Sequence, residues 1–365
     1  MIGAHLEVAN GVASFQMNYL RKLDPQKVMV DFALLFDRET PYADEIKERG
    51  GRIFILPPIS KIKEHAKACK KILDEGNYQI IHDNSTVRTI PMMWYAKKKK
   101  IPVRILHSHN AKLGGSKQKE IINRVVIPLL RAQANEFLAC SELAGQALFG
   151  KRAFKVIPNV IDSESSVNKF DLNCRIKTRE KFKVTNKFVV ITVGRISQQK
   201  NPFFAIDVFA CVAKILPESE YWWVGGGPRE KELKEYVEKK GLKDKVKLLG
   251  ARTDVKDLYQ AADCFFLPSL FEGLPVTAIE AQAFGLPCVL SDSITKELIY
   301  TDLVEYINLK KKAEDWANVV LGCNKMKLDR IFYWDDLRNS KFSSTQAGEN
   351  MEKYYWRVIE KHMNI

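Results

Sequence analysis

Residues 263–292, DCFFLPSLFEGLPVTAIEAQAFGLPCVLSD, restrict the possible folds more than any other stretch. Cys264–Leu267 is a short apolar run, Pro268–Gly273 is turn chemistry, and Cys288–Leu290 is a second apolar run. Runs this short and this apolar suit strands covered on both faces. Between them Pro275 can open a helix, because its missing N–H is one that a first turn leaves unbonded anyway. The helix is predicted over Val276–Phe284, closing at Gly285 with Pro287 just beyond. Strand, helix and strand in this order imply parallel pairing through a crossover. The loop-to-helix start attracts anions, since free backbone N–H groups and the helix dipole point the same way. Glu272 precedes that start and Glu280 lies inside the helix. Two carboxylates beside an anion site imply a neutral partner next to the anion, such as sugar hydroxyls.

The same rhythm fills the chain. Strands are predicted at Val28–Phe36, Ile53–Leu56, Gln79–His82, Val103–His107, Glu136–Ala139 and Lys155–Ile157. Helices are predicted at Ser14–Leu23, Tyr42–Arg49, Lys61–Leu73, Val87–Ala96, Glu120–Ala132 and Glu142–Phe149. Asp162–Asp171, polar and Ser-rich, reads as a linker. A second alternating set follows, with strands at Phe188–Val193, Tyr221–Val224, Val246–Leu249 and Val304–Ile307 around the opening stretch. Its other helices are Phe203–Leu216, Glu230–Lys239, Val255–Ala261 and Ala313–Cys323. A last helix, Ala347–Lys361, falls outside both rhythms. The expected class is α/β, two doubly wound parallel sheets with a cleft between their carboxyl-end loops.

Composition narrows the setting. The 365 residues suit two domains of roughly 100–200 residues each. Seven scattered cysteines with no C-x-x-C pair read as free thiols, and no apolar run reaches the ~18 residues of a membrane span. The start carries no signal-peptide pattern, so a cytoplasmic protein is expected. Net charge is +14, much of it in Lys61–Lys71 and Lys97–Arg104. Such clusters attract anionic lipid, nucleic acid or phosphorylated substrates. Nucleic acid is disfavoured, because no binding module occurs and no aromatics interleave the basic runs.

Four strand-end loops carry candidate chemistry. In Gly194-Arg195-Ile196-Ser197-Gln198-Gln199-Lys200-Asn201-Pro202 the glycine admits close backbone approach, and Arg195 and Lys200 can hold phosphate oxygens. Asn201 can cap the helix that Pro202 opens. Gly225-Gly226-Gly227 is a turn or a nucleoside approach, and Gly250-Ala251-Arg252-Thr253-Asp254 offers a base-binding loop with Thr253 or Asp254 as cap. His107-Ser108-His109-Asn110 ends a first-half strand, where histidines serve acid–base, hydroxyl-binding, metal or plain loop roles; no third metal ligand has useful spacing. Asn10-Gly11-Val12-Ala13 reads as a turn before a helix whose N-terminus faces the cleft.

Taken together, VGRISQQKNP, VGGGP, LGARTDV and above all FEGLPVTAIEAQAFGLPCV resemble the retaining glycosyltransferases of family four, with GT-B architecture. HSHNA at 107–111 and IPNVID at 157–162 agree less sharply. The resemblance implies roles. Arg195 and Lys200 would clamp the donor diphosphate, with backbone N–H groups at Gly273 and Leu274 completing a cradle. Glu272 would hold hydroxyls of the transferred sugar and Glu280 those of the ribose. Arg252 would lie near the base, His109 (or, less well, His107) at donor sugar or phosphate, and Gly11, Gly194 and Gly226 against the donor. No cofactor or metal is expected, since no D-x-D motif occurs. Two departures stand out: only Met1–Gly3 precede the first loop, implying a shortened first strand, and Val160 stands where glycine is more usual.

The expected organisation is an acceptor-side domain at 1–162, a nucleotide-sugar domain at 163–345, and a helix at 346–365 crossing back to the first. The expected function is transfer of a sugar, UDP-linked by preference, to a surface-polysaccharide or lipid-linked acceptor by a cytoplasmic, peripherally membrane-bound enzyme. A UDP-sugar epimerase and a nucleic-acid-binding protein are the competing readings.

Overall fold

A computed structural model of the chain describes residues 1–3, 6, 11–35, 40–112, 117–164, 169–326 and 329–363. It divides into two compact units, Met1–Val160 with Ser344–Ile365, and Ile161–Ser343.

The first unit runs β1 (Ile2–Gly3), α1 (Gly11–Lys22), β2 (Phe32–Leu34), α2 (Ala43–Glu48), β3 (Ile53–Ile55), α3 (Ile62–Glu75) and β4 (Ile80–Asp83). It continues with a 3-10 turn at Thr86–Thr89, α4 (Ile90–Lys98), β5 (Val103–Ser108), α5 (Lys117–Arg131), β6 (Glu136–Ala139), α6 (Glu142–Phe149) and β7 (Lys155–Val156). The seven strands pair in parallel in the order β3-β2-β1-β4-β5-β6-β7. Where the chain leaves β1 in one direction and returns at β4, the order reverses; such a switch point is where open parallel sheets place ligands. Right-handed crossovers put α3, α4 and α5 on one face of the sheet and α1 and α2 on the other.

The second unit runs α7 (Leu172–Phe182), β8 (Phe188–Val193), α8 (Pro202–Ile215), β9 (Ser219–Val224), α9 (Glu230–Lys239), β10 (Val246–Gly250), α10 (Val255–Ala261) and β11 (Cys264–Leu267). Then come α11 (Val276–Ala283), β12 (Cys288–Ser291), β13 (Val304–Ile307), α12 (Ala313–Cys323) and α13 (Tyr333–Asn339). Its strands are all parallel, in the order β10-β9-β8-β11-β12-β13, with the switch point at β8 and β11. Its interior includes Phe209, Tyr221, Trp223, Phe266 and Trp316. The final helix, α14 (Ala347–Met363), belongs to the first unit: it packs on α1, and Met351, Tyr354, Tyr355 and Val358 join the core around Phe15 and Phe32.

Several sequence expectations need correction. Val28–Phe36 pairs as a strand only at Phe32–Leu34 within the described residues, because its neighbour β1 has just Ile2 and Gly3 to offer. The predicted helix Val87–Ala96 starts as a 3-10 turn and becomes α-helical only at Ile90. Helices α7 and α13 went unread. α7 is tied down by polar contacts: Asp171 caps it, and Arg175 and Arg179 bind the Asp263 carboxylate and the last carbonyls of α10. Gly11 lies inside α1 and not in a turn ahead of it; Asn10 falls outside the described residues. All seven cysteines are free, with Cys69, Cys140, Cys264 and Cys288 buried.

Candidate active site

At the second unit's switch point the loops after β8 and β9 are locked together by backbone bonds. Gly194 N–H donates to Val224 O at 2.8 Å, Ile196 N–H to Gly226 O at 2.9 Å, and Gly225 N–H to Gly250 O at 2.7 Å. The glycines make this approach possible. A Cβ on Gly225, whose φ is +123°, would stand 2.4 Å from Gly194 O, and one on Gly227 would stand 2.3 Å from Ile196 O. At Gly226 a Cβ would meet only the Glu230 side chain, at 3.2 Å. The Gly-rich run thus serves the loop junction first.

Beyond Gly194 the chain forms a 3-10 turn, Gln198–Lys200, and Asn201 takes a left-handed conformation. The expected cap is absent: the Asn201 side chain makes no capping bond to α8. What the turn does is hold Glu272. Lys200 Nζ lies 2.7 Å from Glu272 Oε1, and Gln199 Nε2 donates to Glu272 Oε2 and to Phe271 O, both at 3.1 Å. Leu270 N–H closes the contact on Gln199 O at 2.8 Å. The pair is well shielded, the two side chains being 13% and 8% exposed. A Cβ on Gly194 would crowd Lys200 Cε at 2.9 Å, so the glycine also leaves space for this lysine. Arg195 is exposed and makes no side-chain bond to any described residue.

Helix α11 starts at Val276 as expected, but Pro275 is its N-cap and not its first helical residue, and Gly285 follows its end at φ +62°. Gly273 and Leu274 lie in the turn that leads into it. Its first turn carries Thr277, whose Oγ1 is buried without a partner among the described residues, as is the Ser269 hydroxyl just after β11. Neither was singled out from sequence, although a threonine in the first turn of an expected anion-binding helix is a readable signal. Glu280, one turn on, accepts from the Tyr259 hydroxyl at 3.1 Å. Burial pushes its carboxyl up to about 7, against a smaller lowering by the Tyr259 bond.

Arg252 is engaged elsewhere. Its guanidinium forks onto Asp254, with Nε 2.6 Å from Oδ1 and Nη2 2.5 Å from Oδ2. Asp254 is the N-cap of α10 by position but makes no capping bond, its carboxylate being spent on Arg252. The sequence expectation of a Thr253 or Asp254 cap is corrected accordingly. The structure therefore gathers Gly194, Lys200 and Glu272, sets Gly273, Leu274 and Glu280 along one loop and helix, and gives Arg252 its own carboxylate.

In the first unit, β4 and β5 end in three linked histidines. His82 Nδ1 is 2.8 Å from the Tyr355 hydroxyl and its Nε2 is 3.0 Å from His107 Nδ1. His107 stacks on His109 at 4.2 Å between ring centres, with Phe15 edge-on at 4.7 Å. His109 Nε2 lies 2.9 Å from Asn84 Oδ1. Burial pushes His109 down to about 3, and His82 and His107 well below the ordinary histidine value. Gly11 opens α1 in the same unit, with open space where a Cβ would stand. Among the described residues no three His, Cys, Asp or Glu side chains converge as a metal site.

Comparison with known proteins fits this geometry. The family model of glycosyl transferases group 1 matches residues 175–320. EpsF of Bacillus subtilis (strain 168), named as a glycosyltransferase, is 30% identical over 327 residues, 85% of this chain and 83% of that protein. The Escherichia coli UDP-Gal:alpha-D-GlcNAc-diphosphoundecaprenol alpha-1,3-galactosyltransferase is 29% identical over 283 residues, 72% of this chain and 71% of its own length. Among solved structures, Anabaena Alr3699/HepE in complex with UDP-glucose superposes with a TM-score of 0.81 at 20% identity, covering 98% of each chain. That likeness shows the fold, the two Rossmann-like parallel-sheet units of GT-B enzymes. A match spanning most of both chains, with the matched motifs assembled at one switch point, makes this chain a glycosyltransferase of the glycosyl transferases group 1 family.

Proposed function

We propose that the chain moves a sugar from a nucleotide diphosphate, UDP by preference, to a surface-polysaccharide or lipid-linked acceptor, with retention of configuration and without metal. The carrying observation is the shielded Lys200–Glu272 pair beside the exposed Arg195 and the start of α11. A diphosphate leaving group needs fixed positive charge where negative charge develops. Arg195, Lys200 and the helix start supply it. Glu272 would take hydroxyls of the transferred sugar and Glu280 those of the ribose. The acceptor oxygen bonds to the anomeric carbon as its bond to the phosphate oxygen breaks, on the same face. UDP leaves with that electron pair, and the acceptor proton passes to it. Two relationships favour UDP and a lipid-linked acceptor: the Escherichia coli relative is named for both, and HepE was crystallised with UDP-glucose. The test is to incubate the protein with UDP-sugars, with and without a polyprenyl-diphosphate sugar, in buffer containing EDTA. An α-linked product from an α-linked donor is expected. An epimerised sugar from donor alone, or a product of inverted configuration, overturns the reading.

The acceptor reading extends to a peripheral position on the cytoplasmic side of a membrane. Among the described residues no helix is long and apolar enough to cross one. Helices α3 to α5, with the two lysines that follow α4, carry 12 Lys and Arg against four acidic residues. Trp94, Val125 and Leu129 are 45%, 68% and 57% exposed on the same layer. Lys97 Nζ bonds Ala132 O, tying the end of α4 to the end of α5. An exposed Trp and aliphatics rimmed by lysine suit an anionic lipid interface. Sedimentation with phosphatidylglycerol-containing vesicles is expected, lost in pure phosphatidylcholine and weakened about tenfold by Trp94→Ala with Leu129→Ser. Equal sedimentation of the double variant would remove this face from the proposal.

A further inference from the structure

Two groups that the proposed reaction uses separately are bonded to each other in this structure. Lys200 Nζ lies 2.7 Å from Glu272 Oε1, and the two side chains are only 13% and 8% exposed. Among the described residues this is the one bond that Lys200 Nζ makes. In the reaction proposed above, Lys200 turns to the donor diphosphate and Glu272 to hydroxyls of the sugar. A diphosphate brought to Lys200 also comes close to the Glu272 carboxylate, and like charges repel strongly in so shielded a place. The carboxylate thus opposes the anion that its own partner attracts.

Glu272 is held where it stands. Gln199 Nε2 donates to Glu272 Oε2 and to Phe271 O, both at 3.1 Å, and Leu270 N–H donates to Gln199 O at 2.8 Å. These bonds tie the loop after β8 to the loop after β11. Lys200 is freer, since its charge rides on a flexible four-carbon stem and two of its three N–H groups remain to be used. The cation can move and the anion cannot. Donor and product then differ in what each brings to Glu272. A nucleotide sugar sets hydroxyl donors between carboxylate and diphosphate. Once the sugar has gone, the terminal phosphate faces the carboxylate directly and carries a second negative charge at pH 8.

We propose that Glu272, anchored by Gln199 and paired with Lys200, discriminates between donor and product, admitting the nucleotide sugar and expelling the nucleoside diphosphate. Lys200 follows the diphosphate while sugar hydroxyls satisfy Glu272, and returns to the carboxylate when they leave. Gln199 is the positioning residue that keeps the carboxylate in place. This inference rests on the glycosyltransferase reading for its ligand class and deepens it, because it concerns release of that reaction's product.

Titration calorimetry at pH 8 with UDP and with UDP-glucose tests it. Glu272→Gln keeps the shape of the side chain and an acceptor for Lys200 but removes the charge. Its Kd for UDP should fall about tenfold, the relief of one like-charge contact, while its Kd for UDP-glucose should not fall. Gln199→Leu lets the carboxylate turn away from an arriving phosphate, so UDP should again bind more tightly, by about threefold. The double variant should bind UDP no better than Glu272→Gln alone, since the two changes act through one charge. A merely structural role for either residue would weaken UDP binding, and a gain in affinity cannot come from misfolding. UDP binding that is unchanged or weaker in both single variants overturns the proposal. An equal gain for UDP and UDP-glucose in Glu272→Gln also overturns it, because the sugar then has no part. A wild-type protein that binds no nucleotide sugar would instead overturn the glycosyltransferase reading.

Discussion

Arg195→Ala should lower kcat/KM for UDP-sugar about 100-fold or more, the effect of removing one fixed donor from a developing oxyanion. It should leave Tm within about 2 °C, because Arg195 is exposed and bonded to no described side chain. Lys200→Ala should be more severe on both counts. It removes the second cation and strands Glu272, 8% exposed, with Gln199 as its remaining side-chain partner. A half-broken shielded pair costs several kcal/mol, here reduced to about 2 kcal/mol by the Gln199 bond. Loss of activity in Lys200→Ala alone therefore conflates chemistry with folding. The pair Lys200→Met with Glu272→Gln separates them: without the buried charge Tm should recover while turnover does not. Arg195→Ala at near-normal turnover would sink the clamp.

The Lys200–Glu272 contact also shows what a linear reading misses. Both residues were legible as candidate site residues from their loops, one after β8 and one after β11, and the strand order that makes those loops neighbours follows from alternation and the switch-point rule. That they satisfy each other was not legible. The pairing depends on the 3-10 turn at Gln198–Lys200 and on Leu270 binding Gln199 O, which no periodicity encodes. The expected caps at Asn201 and Asp254 failed for a related reason. Capping preference is a local tendency of about 1 kcal/mol, and at Asp254 an Arg two residues away outcompetes it through a forked, charge-assisted contact.

Regular elements were legible where apolar periodicity was strong, as in β8, α8 and β11. Helix α7 has no such stripe. Its LNCRIKTREKF sequence is held by arginines reaching the end of α10, across more than eighty positions of sequence. The histidines divide the same way. HSHN marked a candidate site at the end of β5, but His82 and Tyr355 lie 25 and 248 positions from His107, and only the fold brings them into line.

The Glu280 carboxyl makes the last expectation a matter of pH. Its value of about 7 lies above the ordinary 4.5, so the folded protein holds this proton more tightly than the unfolded chain. Stability from this group is greatest at low pH and falls as pH rises from about 4.5 to about 7. Glu280→Gln should flatten that decline and raise Tm at pH 8. Binding should run the other way. Ribose hydroxyls donate to an ionised carboxylate, so the donor must pull the proton off before it can bind well. UDP-glucose is the suitable probe, because its diphosphate carries the same charge throughout this range whereas the terminal phosphate of UDP titrates within it. Its Kd should rise as pH falls below about 7, approaching tenfold per unit. In Glu280→Gln the affinity should be weaker at pH 8 and independent of pH, since the amide oxygen accepts at any pH but without charge. A wild-type Kd that is flat between pH 5 and 8 would place the ribose somewhere other than Glu280, and would leave the carboxylate to its bond with Tyr259.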